Sequence, residues 1–246
     1  MAWESGLVSH EQHADRREQI ALNLSRVQQR IERACLQAGR SPTHVRLAVV
    51  TKTFPATDVE MLASLGCTDV AENRDQEARE KFAALGSRSG LCWHMIGQLQ
   101  RNKARSVARW ADVVESVDRL ELAQALSRAA QEDGRSLEVL IQVNLDPEPA
   151  EGRGGVAPQA AEALASGCLA LPGLRLTGVM GVAPHPGDPS EAFAILAEVR
   201  EKLMRLDPGC HQLSAGMSED LEQAVAAGAT QVRIGGAVLG NRAALK

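Results

Sequence analysis

Short apolar runs alternate with longer amphipathic stretches along most of this chain. Leu24, Val27, Ile31 and Cys35 recur at intervals of three and four on an otherwise charged segment, which predicts a helix over 15–39 ended by Gly39. Residues 1–14 lack such a stripe and are expected as a tail. Strand-forming runs follow at 45–51, 68–72, 92–96, 113–117, 138–144, 174–180, 211–215 and 231–235. Helical runs separate them at about 57–65, 74–85, 100–109, 119–132, 157–167, 190–205 and 219–227. Thr57 and Glu60 have the spacing of a capping box, Asp118 and Ser190 stand ahead of apolar stripes, and Gly66 and Gly228 fall just past helix ends.

The strand runs are mostly apolar and do not alternate strictly, as a parallel sheet covered by helices requires. Eight such strands joined by helices predict a (β/α)₈ TIM barrel with an extra N-terminal helix. An open, doubly wound sheet is the alternative that shares this alternation. A length of 246 residues with 44% hydrophobic content suits one barrel domain over 1–246. Gly/Pro-rich segments at 146–156 and 183–190 read as surface loops.

A net charge of −4 argues against a nucleic-acid partner, and the short run Arg101-Asn102-Lys103-Ala104-Arg105 reads as a solvated helix face. No apolar stretch is long enough to span a bilayer, and the polar N-terminus does not resemble a secretory signal, so a cytoplasmic protein is expected. Five cysteines without Cys-x-x-Cys spacing read as buried free thiols. The histidines show no metal-ligand spacing, and no metal is expected.

In a barrel, working residues gather at the C-terminal ends of strands and in the loops that follow. Lys52 follows Leu47-Ala48-Val49-Val50-Thr51, so its stem leaves a buried strand. Apolar walls disfavour an ammonium, and a neutral amine attacks aldehydes to form a Schiff base; a lysine snorkelling to the rim is the other reading. Ser214-Ala215-Gly216-Met217-Ser218 precedes a helix that Ser218 can cap, and free amides there suit a phosphate. Gly235-Gly236 permits close backbone approach. Arg233 lies inside an apolar strand and needs an acceptor, either a ligand or a carboxylate such as Glu72 or Asp118. His94 reads as a satisfied core histidine, with a hydrogen bond to a ligand or to Asn73 as the other reading.

These segments together resemble the one-domain pyridoxal phosphate homeostasis proteins, which look like the N-terminal barrel of alanine racemase. The resemblance runs from about residue 20 to Arg242 and rests on Thr51-Lys52-Thr53, Glu72-Asn73-Arg74, Leu213-Ser214-Ala215-Gly216-Met217-Ser218 and Val232-Arg233-Ile234-Gly235. Its longest run is Trp93-His94-Met95-Ile96-Gly97-Gln98-Leu99-Gln100-Arg101-Asn102-Lys103.

The resemblance implies that Lys52 carries pyridoxal 5′-phosphate as a Schiff base. It implies that Ser218, Gly235 and Gly236 cradle the phosphate and that Arg233 faces the pyridine nitrogen. Asn73, His94 and Met180 would line the pocket, with Ser214 close by. Ala215 stands where methionine is usual and is expected to open volume near the ring. Gly236 stands where threonine is usual, and Val70-Ala71 replaces a usual Phe-Gly.

The resemblance also implies a cofactor-homeostasis role without efficient turnover. Its partners would be free pyridoxal phosphate and apo-enzymes that use it, and a monomer is expected. A small-substrate amino-acid racemase is the alternative. Racemases of this fold place a tyrosine from a second domain on the far face of the substrate, and this sequence has no tyrosine.

Overall fold

The computed structural model describes residues 4–85, 90–146, 154–185 and 187–240, and side chains from residue 13 onward. Residues 147–153 of one expected loop and residue 186 of the other lie outside the described residues.

Eight parallel strands close into a barrel in sequence order, with β1 hydrogen-bonded to both β2 and β8. They are β1 (Arg46–Val50), β2 (Asp69–Glu72), β3 (Cys92–Met95), β4 (Val113–Val117), β5 (Leu137–Val143), β6 (Leu174–Gly181), β7 (Gln212–Ser214) and β8 (Gln231–Ile234). The helices are α1 (Glu4–Gln37), α2 (Ala56–Ser64), α3 (Asp75–Leu85), α4 (Ala104–Val107), α5 (Leu120–Glu132), α6 (Ala161–Leu169), α7 (Pro189–Leu206), α8 (Leu221–Ala226) and α9 (Gly236–Leu239). The barrel, and not the open sheet, is the observed topology. Among the described residues no helix is long and apolar enough to cross a membrane.

Most of the core lies between the strands and the helices, where residues such as Val49, Val70, Trp93, Ile141 and Leu213 point outward. Alternate residues point inward, and two small apolar groups form there: Ala48, Val50 and Ala71, and Val113, Leu140 and Met180. The other inward positions carry polar side chains, which shapes the site described below.

Helix α1 begins at Glu4, so residues 4–14, expected as a tail, are its first turns. Ile20, Leu24, Val27 and Ile31 are its buried stripe. Gly39 at φ +65° lets Arg40 N–H turn back to the Cys35 carbonyl at 2.8 Å, which satisfies the helix end. Polar contacts tie α1 to the barrel rim. Arg16 pairs with Asp58 of α2 at 2.6 Å and donates to the Leu239 carbonyl at 2.9 Å. Arg30 pairs with Glu222 of α8 at 2.6 Å and donates to the Ser218 carbonyl at 2.5 Å.

Several expected helix starts move. Pro55 precedes α2 with no side-chain cap, so Thr57 and Glu60 lie inside the helix. Asp188 caps α7 by accepting from Ser190 N–H at 2.9 Å, with Pro189 in the first turn. Arg119 takes the cap position of α5, beside Asp118. The helix expected at 100–109 divides into a 3₁₀ turn, Arg101–Lys103, and α4. All five cysteines are unpaired; Cys67 and Cys92 are only half-buried.

Candidate functional site

Just past the end of β1, Lys52 reaches a cavity of about 940 Å³ at the C-terminal mouth of the barrel. A cluster beneath it fixes its neighbours. Thr51 is fully buried and donates to Glu72 Oε1 at 2.6 Å. Lys81 Nζ, on α3, donates to the Thr51 carbonyl at 2.7 Å, to Glu72 Oε1 at 2.7 Å and to Glu77 Oε1 at 2.6 Å. Glu77 also accepts from the N–H of Thr53, the one non-glycine residue with positive φ (+72°) among the described residues. Such a conformation costs about 1–3 kcal/mol and persists only where surrounding contacts impose it. Both neighbours of Lys52 are therefore held by one buried ion cluster. Burial pushes the Glu72 carboxyl upward, against the pull of Lys81. The sequence reading missed Lys81 and Glu77, although Ala78, Lys81, Phe82 and Leu85 share one helical face.

Asn73 and Met180 line the same cavity, with Val50, Phe54 and Ile96 forming an apolar wall. Gly97 positions Asn73, because a Cβ at Gly97 would lie 2.0 Å from the Asn73 carbonyl oxygen. Ser218, Gly235 and Gly236 also border it, with Gly235 beside Val50, whose carbonyl oxygen lies 3.1 Å from where a Gly235 Cβ would stand. Ser218 lies in the turn before α8 and does not cap it; Asp220 occupies the cap position and accepts from Met217 N–H at 2.5 Å. Gly216, at φ +94° with Ala224 Cβ 2.7 Å from where its own Cβ would stand, carries the chain into that turn. Gly235 and Gly236 open α9, whose first amides have no intrahelical acceptor.

Arg233 is 4% exposed and reaches the cavity from β8. Its Nη1 donates to Ser214 Oγ at 2.6 Å and its Nη2 to the Gly181 carbonyl at 2.9 Å. The carboxylate beside it is neither Glu72 nor Asp118 but Glu115, at 3.8 Å. Burial pulls the guanidinium downward, and the charges of Glu115 and Asp220 oppose that pull.

His94 and Ser214 do not line the cavity; both are fully buried one layer below it. Period-two alternation points His94 inward like Ile96, but two residues nearer the barrel floor, a drop of roughly 6–7 Å. Its Nδ1 meets Glu115 Oε1 at 2.7 Å and its Nε2 meets Asp69 Oδ1 at 3.1 Å. Burial works against the imidazolium, but hydrogen bonds with Asp69, Cys92 and Glu115, together with the Glu115 charge, hold its pKa well above the ordinary histidine value. Glu115, fully buried, is held down at about 2 against its desolvation, foremost by His94. Cys92 Sγ lies within 4.8 Å of the Asp69 and His94 donor atoms, a grouping the sequence spacing did not indicate. Ala215 does not open space at the cavity; it packs into the layer between strands and helices.

The alanine racemase N-terminal domain model matches residues 17–243. The pyridoxal phosphate homeostasis protein of Mycobacterium tuberculosis is 41% identical over 248 residues, covering 94% of this chain and 95% of that protein. The protein of the same name from Pseudomonas aeruginosa is 42% identical over 223 residues, covering 91% and 96%. This chain belongs to the pyridoxal phosphate homeostasis protein family. Among solved structures, a protein of unknown function from Bifidobacterium adolescentis aligns with a TM-score of 0.86 at 33% identity, covering 91% of this chain and 96% of that one. PipY of Synechococcus elongatus, solved with pyridoxal phosphate bound, aligns at 0.77 and 33% identity, covering 90% and 100%. Alanine racemase from Corynebacterium glutamicum, at 16% identity and a TM-score of 0.67, shares the fold; this chain spans 64% of its length. Family membership agrees with the resemblance read from the Lys52, Asn73, His94 and Arg233 segments.

Proposed function

We propose that this protein binds pyridoxal 5′-phosphate through Lys52 and serves cofactor homeostasis in the cytoplasm, as a monomer and without efficient turnover. The observation that carries this reading is the convergence of Lys52, Arg233 and the Ser218/Gly235/Gly236 rim on one cavity. The cavity volume falls in the range of about 300–1,000 Å³ common to small-molecule sites. Its donors also fit the cofactor's chemistry: an amine for an aldehyde, a hydroxyl and glycine amides for a phosphate, and a guanidinium for a ring nitrogen. Bound pyridoxal phosphate supplies a reactive aldehyde and an electron-withdrawing ring.

Arg233 is a donor only, so it favours a ring nitrogen without a proton and leaves the ring a weak electron sink. Asn73 and Met180 bound the ring space, and the cluster around Lys81 keeps the Lys52 turn in place. None of the 246 residues is a tyrosine that could serve as a second base, which favours this reading over a racemase. Delivery of the cofactor to apo-enzymes is the physiological role this reading favours.

The test is to load the protein with pyridoxal phosphate and assay two outcomes. The expected result is restored activity when an apo-aminotransferase is added, with exchange of the alanine α-proton near background. Turnover of either alanine enantiomer at tens per second, with no transfer, would establish the racemase reading instead.

A further inference from the structure

A chain of alternating charges runs down the barrel axis below the cavity. Arg233 on β8 lies 3.8 Å from Glu115 on β4; Glu115 meets His94 on β3 at 2.7 Å; His94 meets Asp69 on β2 at 3.1 Å; Arg46 on β1 lies 3.6 Å from Asp69. Of these, only Arg233 lines the cavity. Glu115 is the junction. Its Oε2 accepts from Ser214 Oγ at 2.5 Å, and its Oε1 accepts from Gln231 Nε2 at 2.6 Å in addition to His94. Ser214 in turn accepts from Arg233, so a carboxylate with no exposed surface fixes the hydroxyl that orients the cavity's guanidinium.

We infer that Glu115 is a positioning residue for the cofactor: through Ser214 it holds Arg233 in place, and its charge offsets the guanidinium that faces the ring. This inference rests on the proposed binding of pyridoxal phosphate at Lys52. The cost of isolating a carboxylate at the barrel centre is met by three donors and two flanking cations. Arg233 has five N–H donors, and Ser214 and Gly181 take one bond each from Nη1 and Nη2, which leaves donors for a ring nitrogen. Other charged groups act from the surrounding elements. Asp220 acts on Arg233 from the turn before α8, His185 and Glu219 stand at the rim, and Lys81, Glu72 and Glu77 lie beneath the Lys52 turn. None of these bonds to Glu115.

The test is a pH titration of the visible band of the protein loaded with pyridoxal phosphate. The variants are Glu115→Gln, Arg233→Gln and the double substitution, with circular dichroism as a check on folding. Glu115→Gln leaves Arg233 less compensated, so the lysine-bound cofactor loses its proton more readily. The direct field of one lost charge at about 20 Å and an effective dielectric near 20 lowers the midpoint by about half a pH unit in either background. The displaced guanidinium adds to this only where Arg233 is present, so the expected shift is about one pH unit or more in Glu115→Gln and about half a unit in the Arg233→Gln background. Ser214→Ala, which breaks the link and leaves every charge in place, should lower the midpoint in the same direction and serves if Glu115→Gln does not fold. An unchanged midpoint in Glu115→Gln, or equal shifts in both backgrounds, overturns the inference. Absence of any visible band in the unmodified protein overturns the binding reading itself.

Discussion

Replacing Lys81 with methionine removes a cation that contacts Glu72 and Glu77 together. Lys81 is 5% exposed, and its ammonium makes three bonds of 2.6–2.7 Å, two to carboxylates and one to the Thr51 carbonyl. Methionine fills similar volume, so the loss is electrostatic and not a cavity. Breaking a buried ion pair costs about 3–5 kcal/mol, because it strands the remaining charge. Glu72 moderates this, since burial already raises its pKa and protonation relieves part of the penalty. We expect a loss of about 3 kcal/mol at neutral pH, or roughly 6–12 °C in Tm for a domain of this size. The assay is urea unfolding with matched m-values.

The sign with pH follows from Glu72. A carboxyl whose folded pKa is raised destabilises once it must ionise, so the variant's deficit should shrink as pH falls toward 5. Adding Glu72→Gln should recover at least half of the loss. The Thr53 turn should also relax, with weaker retention of pyridoxal phosphate on Lys52. A loss under about 1 kcal/mol, or strict additivity of the two substitutions, would refute the claim that this cluster holds the Lys52 turn.

The contributions of His94 and Glu115 should both be fully present between pH 4.5 and 6.5, a window in which the raised Glu72 carboxyl adds a gradual loss as pH rises. His94, with its pKa raised, contributes fully below 6.5, and that contribution is lost as pH climbs through its folded value; Glu115, lowered to about 2, contributes above 4.5, and that is lost as pH falls toward 2. Urea midpoints that keep rising from pH 6.5 to 9 would contradict the charged state of His94. Gly97→Ala should lower stability by more than about 2 kcal/mol, because its Cβ would stand 2.0 Å from the Asn73 carbonyl oxygen; calorimetry showing wild-type behaviour would contradict this. Gly236 has nothing within 4 Å of where a Cβ would stand, so Gly236→Thr should fold normally. Its hydroxyl should tighten pyridoxal phosphate binding by about 2–12-fold, the worth of one hydrogen bond, and titration calorimetry would reveal an unchanged or weaker Kd if the phosphate lies elsewhere.

The barrel was legible because each strand is a compact apolar run and each helix carries its own stripe. Gly39, Gly66 and Gly228 mark helix ends with positive φ in the structure as in the sequence. Helix starts were less legible, since Ser, Thr and Asp stand near several of them and geometry alone selects the cap, as Asp220 over Ser218 shows. The polar interior was hidden for a different reason. Inward-facing polar residues are scattered among apolar ones along the strands, such as Glu115 within Val113–Val117, and their partners come from other strands far along the chain. Parity carried more information than was used. Ala71 points into the barrel, so Glu72 must point toward α3 and was never available to Arg233. The same alternation correctly turns His94 inward but does not set its depth, which is why it falls below the cavity.

The most direct test of the account is borohydride reduction of the protein incubated with pyridoxal phosphate, followed by peptide mass mapping, beside a Lys52→Ala variant. The account predicts one stoichiometric adduct on Lys52, a visible band before reduction, and neither in the variant. An adduct spread over exposed lysines, or an equal yield in Lys52→Ala, would contradict cofactor capture at this site.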